Sequence, residues 1–278
     1  MHTAHPAFRS PPDIDGKIWQ YMELAEFVSM LNRRALFFVK ANKLRDPYEG
    51  INPQFNNMIK YKGDKEEQNQ NFPSSHRINN VGQSVAQRII QRFQMYRQLV
   101  LINPWHYNEY ESAAMWNLYS HENAGIAIQS TTRRLSECFK DNNEDIVWIG
   151  KVQYLDFSKD WMNRWNNLFE AFVTKRKSFE YENEIRAVTC LPSDNLSREL
   201  LASAETEGSN IFSSQERTVN PKELTDKGKY VSANLEILVE KVYVAPYAES
   251  WFEEVVESLL SKYDLDPIVT KSDLYTIS

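Results

Sequence analysis

Glycine is scarce in this sequence, with eight residues among 278. That is well below the ~7% of average proteins. No glycine-rich phosphate loop of the dinucleotide-binding type or of the P-loop type is present. The chain is therefore not expected to form a Rossmann-type or P-loop enzyme, and any nucleotide must be held without those loops.

The composition predicts a folded protein, because 42% of the residues are hydrophobic and 13% are aromatic. We find no run of about 20 apolar residues and no signal peptide, so a cytoplasmic location is expected. The two cysteines, Cys138 and Cys190, are too few for a disulfide framework and are expected to be reduced. A net charge of -6 argues against a broad nucleic-acid-binding surface, and the run Lys175–Lys177 is interpreted as a solvated face.

Hydrophobic spacing predicts one mixed α+β domain over residues 17–278, after a flexible tail at residues 1–16. Polar segments at 62–80 and 193–229 are expected to be surface loops. Helices are predicted at 24–31, 85–100 (closed off by Pro104), 111–120, 161–172 and 251–263, and strands at 36–39, 125–129, 146–154, 182–191 and 235–244. Helices and strands alternate too irregularly for a regular parallel sheet.

The sharpest local pattern is Phe179–Arg186. If this segment is a strand, Glu180, Glu182, Glu184 and Arg186 share one face. Carboxylates so close together raise the pKa of at least one of them unless cations intervene, and Arg186 and Lys175 could intervene. The pattern suits acid–base chemistry, and it equally suits a strand with its polar face in water.

Three further segments carry candidate residues, each with a structural alternative. Ser130 and Thr131 follow a strand and could line a ligand site or cap the next helix. Asp46 and Glu49 lie in a turn that needs Asp for structural reasons. The aromatic residues around Tyr119 could stack on a ligand or belong to the core.

The histidines and cysteines do not have the spacing of metal ligands, and no Gly-x-Ser-x-Gly elbow occurs. No metal is therefore predicted.

Several motifs, taken together, resemble a widespread bacterial family classed as a domain of unknown function. They are Trp19-Gln20-Tyr21, Asp46-Pro47-Tyr48-Glu49-Gly50, Met115-Trp116 with Tyr119, Gly125–Ile128, Glu182-x-Glu184-x-Arg186 and Val242–Pro246. The resemblance spans residues 18–275. The family is in turn similar to ADP-ribosyltransferase toxins of toxin–antitoxin and phage-defence loci. This likeness implies an α+β fold with a central split, antiparallel sheet and flanking helices.

The resemblance also implies roles for individual residues, with NAD as the substrate. Glu184 is expected to stabilise the cationic sugar as nicotinamide leaves, and Glu182 to orient or deprotonate the acceptor. Arg186 would hold the carboxylate pair or a phosphate, and Ser130 would support Glu184. Tyr21 or Tyr119 would stack on nicotinamide. The expected NAD-binding residues are Gln20, Tyr21, Asp46, Glu49, Tyr119, Ser130 and Thr131.

Two alternatives remain open at the level of sequence. Gln20 stands where such enzymes carry a basic residue, which fits a catalytically inactive sensor or binding module. A nuclease could instead use Asp46, Glu49, Glu182 and Glu184 with a divalent ion. The macromolecular acceptor, protein or nucleic acid, and any antitoxin or defence partner are not identified by the sequence, and no membrane association is expected.

Overall fold

The structure is a computed structural model that describes residues 7–51, 80–119, 124–160, 168–191 and 224–276. Its strands are β1 (Lys17–Glu23), β2 (Ala35–Lys40), β3 (Val100–Tyr107), β4 (Gly125–Thr131), β5 (Trp148–Lys151), β6 (Gln153–Leu155), β7 (Thr174–Arg176), β8 (Glu184–Cys190), β9 (Gly228–Ser232), β10 (Lys241–Val244) and β11 (Ile268–Lys271). The α+β class predicted from the sequence is confirmed.

The α-helices are α1 (Leu24–Arg33), α2 (Asn80–Leu99), α3 (Ala113–Tyr119), α4 (Thr132–Glu137), α5 (Leu235–Leu238) and α6 (Ser250–Lys262). Short 3₁₀ helices cover Ala41–Lys43, Leu168–Phe172 and Lys177–Glu182. Helix α1 begins at a side-chain cap. The Glu26 carboxylate accepts a hydrogen bond from the Glu23 N–H, which satisfies one donor that the helix leaves free. Arg34, in the left-handed conformation, ends the same helix.

The main sheet has nine strands, of which seven follow the order β11-β10-β4-β1-β3-β2-β9. Strand β8 pairs with β3, and β5 pairs with β8. Every pair in this sheet is antiparallel except β10 with β11. Strands β6 and β7 form a separate parallel pair.

The sheet is split along one side of β3. Strand β1 pairs with β3 only at His106 and Tyr107, whereas β2 pairs with it only at Leu101 and Ile102. Pro104, which has no N–H to donate, lies between these two stretches and so interrupts neither ladder. The opening left between β1 and β2 is where the cleft described below is found.

Four predicted elements differ in the structure. Helix α2 ends at Leu99 rather than near Pro104, because the apolar residues that follow it form β3. The predicted strand 146–154 divides into β5 and β6, which join different sheets. Residues 235–238 are helical rather than extended, because the Asn234 side chain accepts a hydrogen bond from the Ile237 N–H and caps α5. The described end of the predicted helix 161–172 is a 3₁₀ helix, and its remainder lies outside the described residues.

Alternation along β3 places apolar side chains on both faces. Leu101 and Trp105 belong to one hydrophobic cluster, whereas Val100 and Ile102 belong to a second. Residues 7–9, which the sequence assigns to a flexible tail, instead pack against the second cluster. The Phe8 ring stacks on Trp148, and the Arg9 carbonyl accepts a hydrogen bond from the Lys151 N–H.

Strand β9 begins inside the segment 193–229 that was predicted as a loop, and residues 62–79 and 192–223 fall outside the described parts. Within the described ranges, no helix combines the length and the apolar character needed to cross a membrane.

Candidate active site

A cleft of about 920 Å³ opens at the split in the sheet. Its walls include residues 20–22 of β1, residues 35–37 and 39 of β2, and Asn103 and Pro104 of β3. Eight of the ten residues predicted to form the site line it, namely Gln20, Tyr21, Asp46, Glu49, Tyr119, Glu182, Glu184 and Arg186. Segments far apart in the chain therefore converge on this cleft.

A buried cluster of charges lies in the cleft wall around Lys175. The Lys175 ammonium lies 2.7 Å from Glu184 Oε1 and 3.4 Å from Glu49 Oε1, and it also donates to the Glu182 carboxylate. One cation thus joins three carboxylates. Lys175 was predicted only as a possible counter-charge, and the structure places it at the centre of the cluster.

Arg186 is the second cation of this cluster and is 1% exposed. Its two terminal nitrogens donate to the two oxygens of Glu49 at 2.8 and 2.7 Å, and its Nε donates to Glu184 Oε2 at 2.6 Å. The Phe172 carbonyl accepts a further bond of 2.8 Å. A planar guanidinium matched to a carboxylate in this way is fixed in orientation as well as in charge.

The chain enters this cluster through a sharp turn, not through a continuous strand. Lys177–Glu182 is a 3₁₀ helix, and Asn183, with φ 39°, adopts the left-handed conformation before β8 begins at Glu184. Glu180 is consequently exposed, which corrects the prediction that it shares a face with the other carboxylates. Within β8 the alternation holds, so Glu184 and Arg186 face the cluster while Ile185 enters the core.

The charges in the cluster do not balance when all of its groups are ionised. Three carboxylates (Glu49, Glu182 and Glu184) face two cations, Lys175 and Arg186. One proton on a carboxylate makes the cluster neutral, and its loss leaves one negative charge beside the cleft.

That proton is expected on Glu182. Burial and the neighbouring Glu184 raise the pKa of the Glu182 carboxyl from 4.5 to about 8, although Lys175 acts in the opposite direction. Burial would also raise the pKa of Glu184, but Arg186 and Lys175 hold it well below its ordinary value. The pKa values of these two carboxyl groups, two residues apart, are therefore shifted in opposite directions.

Aromatic side chains form part of the cleft wall. The Tyr21 hydroxyl accepts a hydrogen bond of 2.8 Å from the Ser112 N–H, and its ring packs edge-on against Trp116. Tyr119 is half-buried, and burial together with the charges of Glu182 and Glu184 raises the pKa of its phenol to about 12. Both rings offer surfaces on which a planar ligand could stack.

Asp46 lies beside the cluster and is bound by Arg176, which sequence reasoning missed. The Arg176 guanidinium donates to both Asp46 oxygens, at 2.8 and 3.1 Å, and lies over the Tyr48 ring. The basic run was interpreted as a solvated face, yet only Lys177 is exposed. The alternation of side chains along a strand could have indicated that Lys175 and Arg176 point to opposite faces of β7. No local pattern could have identified Asp46, 130 residues away, as the partner of Arg176.

Ser130 and Thr131 do not line the cleft, contrary to the prediction. The Ser130 hydroxyl is fully buried and donates to the Leu238 carbonyl at 2.5 Å. Thr131 caps α4, where its hydroxyl accepts a bond of 3.2 Å from the Arg134 N–H. Thr131 therefore caps a helix, which was the structural alternative given for these hydroxyls. The Ser130 hydroxyl binds a backbone carbonyl and not Glu184.

The carboxylates assigned to a metal in the nuclease alternative already have cationic partners. Arg176 binds Asp46, Arg186 binds Glu49 and Glu184, and Lys175 binds Glu182. In the parts of the chain that the structure describes, no three His, Cys, Asp or Glu side chains are grouped so as to hold a metal. A divalent ion would have to displace these Lys and Arg side chains.

No curated protein matches the chain. Three solved structures of DarT from Thermus sp. 2.9 are similar to it. The complex with ADP-ribosylated ssDNA is 8% identical with a TM-score of 0.37, and the alignment covers 95% of this chain and 97% of the DarT chain. The complex with NAD+ is 8% identical with a TM-score of 0.36 and the same coverage. The complex with carba-NAD+ is 9% identical with a TM-score of 0.34, covering 94% and 96%.

Residues 115–187 match a family described as a protein of unknown function, DUF2971. The match contains three of the motif segments on which the resemblance rested, those at Met115–Tyr119, Gly125–Ile128 and Glu182–Arg186. Over these residues the predicted likeness to a family of unknown function is confirmed.

Proposed function

We propose that the cleft binds NAD and that the chain transfers ADP-ribose from it to a macromolecule. The observation that carries this proposal is the uneven charge of the buried cluster, in which Glu182 can leave one negative charge beside the cleft. NAD has a cationic nicotinamide ring, and the sugar becomes cationic as that ring departs. Once Glu182 has lost its proton, its negative charge is held in a buried site, where it stabilises such a transition state.

Within this proposal the two glutamates have different roles. Both Glu184 oxygens are already bound, one by Lys175 and one by Arg186. We therefore assign to Glu184 the positioning of these two cations. Glu182, whose pKa lies nearer to neutrality, is assigned contact with the ribose or with the attacking group.

The size and lining of the cleft suit a dinucleotide. Its volume of about 920 Å³ falls near the upper end of small-molecule sites, which span roughly 300–1,000 Å³. Tyr21 and Tyr119 offer rings for stacking, whereas Lys43, Arg45 and Lys227 supply positive charge for the pyrophosphate. These side chains would take the place of the glycine-rich loop that the sequence lacks.

Gln20 favours a second candidate, a binding module that retains the cleft without turnover. It lines the cleft where the resemblance calls for a basic residue. Such a module would bind NAD or a related nucleotide and release no nicotinamide. If the transferase proposal holds, we place the activity in a cytoplasmic toxin or phage-defence effector that an antitoxin or defence partner restrains.

The test is nicotinamide release from NAD by the purified protein, with and without cell lysate, alongside calorimetric NAD binding. Glu182→Gln should abolish release, whereas Glu180→Gln, an exposed glutamate on the same 3₁₀ helix, should not. Binding without release would indicate the module. Absence of both would reject NAD as the ligand. Nucleic-acid cleavage that requires added Mg²⁺ would point to the nuclease.

A further inference from the structure

His106 is a buried side chain whose hydrogen bond to the Glu182 carbonyl fixes its tautomer. Its Nδ1 lies 2.6 Å from the Glu182 carbonyl oxygen, and a carbonyl oxygen can only accept. The proton of the neutral ring must therefore be on Nδ1, which leaves Nε2 as a bare acceptor. Nε2 is buried and has no hydrogen-bond partner among the described residues.

An unpaired buried acceptor costs about 1–3 kcal/mol, so its presence calls for an explanation. His106 lies directly opposite Glu184 in the pairing of β3 with β8, so both side chains are on the same face of the sheet. It also lines a side chamber of about 100 Å³ beside the cleft. Gln20, Tyr119, Glu182 and Glu184 line both spaces, so the chamber adjoins the glutamate pair.

The dimensions and walls of this chamber limit what it can hold. Trp19, Trp105 and Met115 form apolar walls, and the space is too small for a nucleotide or for part of a folded acceptor. It has room for water, and a water molecule can donate to His106 Nε2 and to a neighbouring carboxylate.

We propose that the side chamber holds a water molecule on His106 Nε2 and that His106 takes the proton of this water when it attacks NAD. This inference rests on the proposed NAD chemistry and adds a further activity, the hydrolysis of NAD when no acceptor is bound. The water oxygen bonds to the anomeric carbon of the nicotinamide ribose. The bond from that carbon to nicotinamide breaks, and its electron pair neutralises the ring nitrogen.

The water proton passes to Nε2 and then to solvent, so the products are ADP-ribose, nicotinamide and one proton. The groups facing His106 fit this role. Burial lowers the pKa of the imidazole and so favours the neutral ring, although the hydrogen bond that the ring donates to the Glu182 carbonyl and the charge of Glu184 act in the opposite direction. Tyr21 and Tyr119, the other titratable residues of the chamber, have raised pKa values and remain neutral phenols.

The test compares His106→Gln with His106→Phe. Gln can keep a donor for the Glu182 carbonyl and an acceptor for water but cannot take a proton, whereas Phe fills the space and removes both. Nicotinamide release without lysate should fall about 100-fold or more in both variants, since a general base contributes 10²–10⁴-fold. Calorimetric NAD binding should persist in His106→Gln, which shows that the variant is folded.

An independent readout is the ¹⁵N spectrum of the His106 ring in the wild-type protein. Protonated Nδ1 and unprotonated Nε2 at pH 7 are expected, and a proton on Nε2 would overturn the inference. Undiminished release by His106→Gln would also overturn it while leaving the proposed function intact. Absence of release by the wild-type protein would reject the proposed function, and the hydrolysis with it.

Discussion

Arg186 and Glu49 form a doubly hydrogen-bonded ion pair in which each side chain is about 1% exposed. The pair joins β8 to the segment that follows β2. Removing one partner of a buried pair leaves the other charge uncompensated, which typically costs 3–5 kcal/mol.

Arg186→Met should therefore lower the free energy of unfolding by about 3–5 kcal/mol in urea denaturation. The double variant Arg186→Met with Glu49→Gln should recover part of this loss, because the carboxylate that has lost its two hydrogen bonds from Arg186 is then replaced by a neutral amide. A cost below about 1 kcal/mol for the single change would mean that water reaches Glu49 and that the pair contributes as little as a surface pair.

Stability should depend on pH through Glu182. Its pKa is higher in the folded protein, about 8, than the ordinary 4.5 of an unfolded chain, so the folded state binds the extra proton between these values. The contribution of Glu182 is therefore complete below pH 4.5 and is lost as the pH rises towards 8. Urea midpoints of the wild type minus those of Glu182→Gln should fall across this range. A flat difference would place the proton elsewhere, and Glu180→Gln serves as the exposed control.

Lys175 should hold the Glu182 pKa down, since a cation within ~4–6 Å of a carboxyl lowers its pKa by about 1–3 units. In Lys175→Met the pH at which nicotinamide release reaches half of its maximum should therefore move upward by at least about one unit. The pH–rate profile measures this directly. A downward shift would contradict the charge arrangement around Lys175.

Ser130→Ala and Thr131→Ala separate the structural roles of these hydroxyls from the roles that the resemblance implied. Loss of the α4 cap should cost about 0.5–2 kcal/mol in Thr131→Ala. Loss of the donor to the Leu238 carbonyl should cost about 1–3 kcal/mol in Ser130→Ala. Both variants should release nicotinamide like the wild type at a temperature where they are folded. A specific loss of release in Ser130→Ala would restore its predicted contact with Glu184.

Gly50 should resist substitution. Its φ of +67° lies in the left-handed region, and an added Cβ would collide with the Phe172 ring. Gly50→Ala should cost more than the roughly 1 kcal/mol of a left-handed alanine alone. In the double variant Gly50→Ala with Phe172→Leu, the cost of the collision should fall while the cost of the left-handed backbone remains. Thermal unfolding of the single and double variants would separate these two costs.

Local patterns predicted the helices and strands with strong periodicity, such as α1, β4 and α6. The short motif Glu182-x-Glu184-x-Arg186 lies in the cleft wall, as do Gln20 and Tyr21, which only the family resemblance had singled out. They failed where neighbours decide the outcome. The segment Lys177–Glu182 has strand-like alternation, but a left-handed Asn183 turns the chain before β8 begins. No local sequence pattern indicated the roles of Arg176 and His106. The contact of Arg176 with Asp46, and the side chamber that His106 lines, exist only once the chain is folded.

The pair that joins Glu49 to Arg186 spans 137 residues of sequence. During synthesis from the N-terminus, Glu49 leaves the ribosome long before Lys175, Glu184 and Arg186 exist. Every nascent or truncated chain that stops short of β8 therefore lacks both the glutamate pair and the arginine that neutralises it. A cell producing the protein therefore meets the chemistry of this cleft only once translation has passed Arg186.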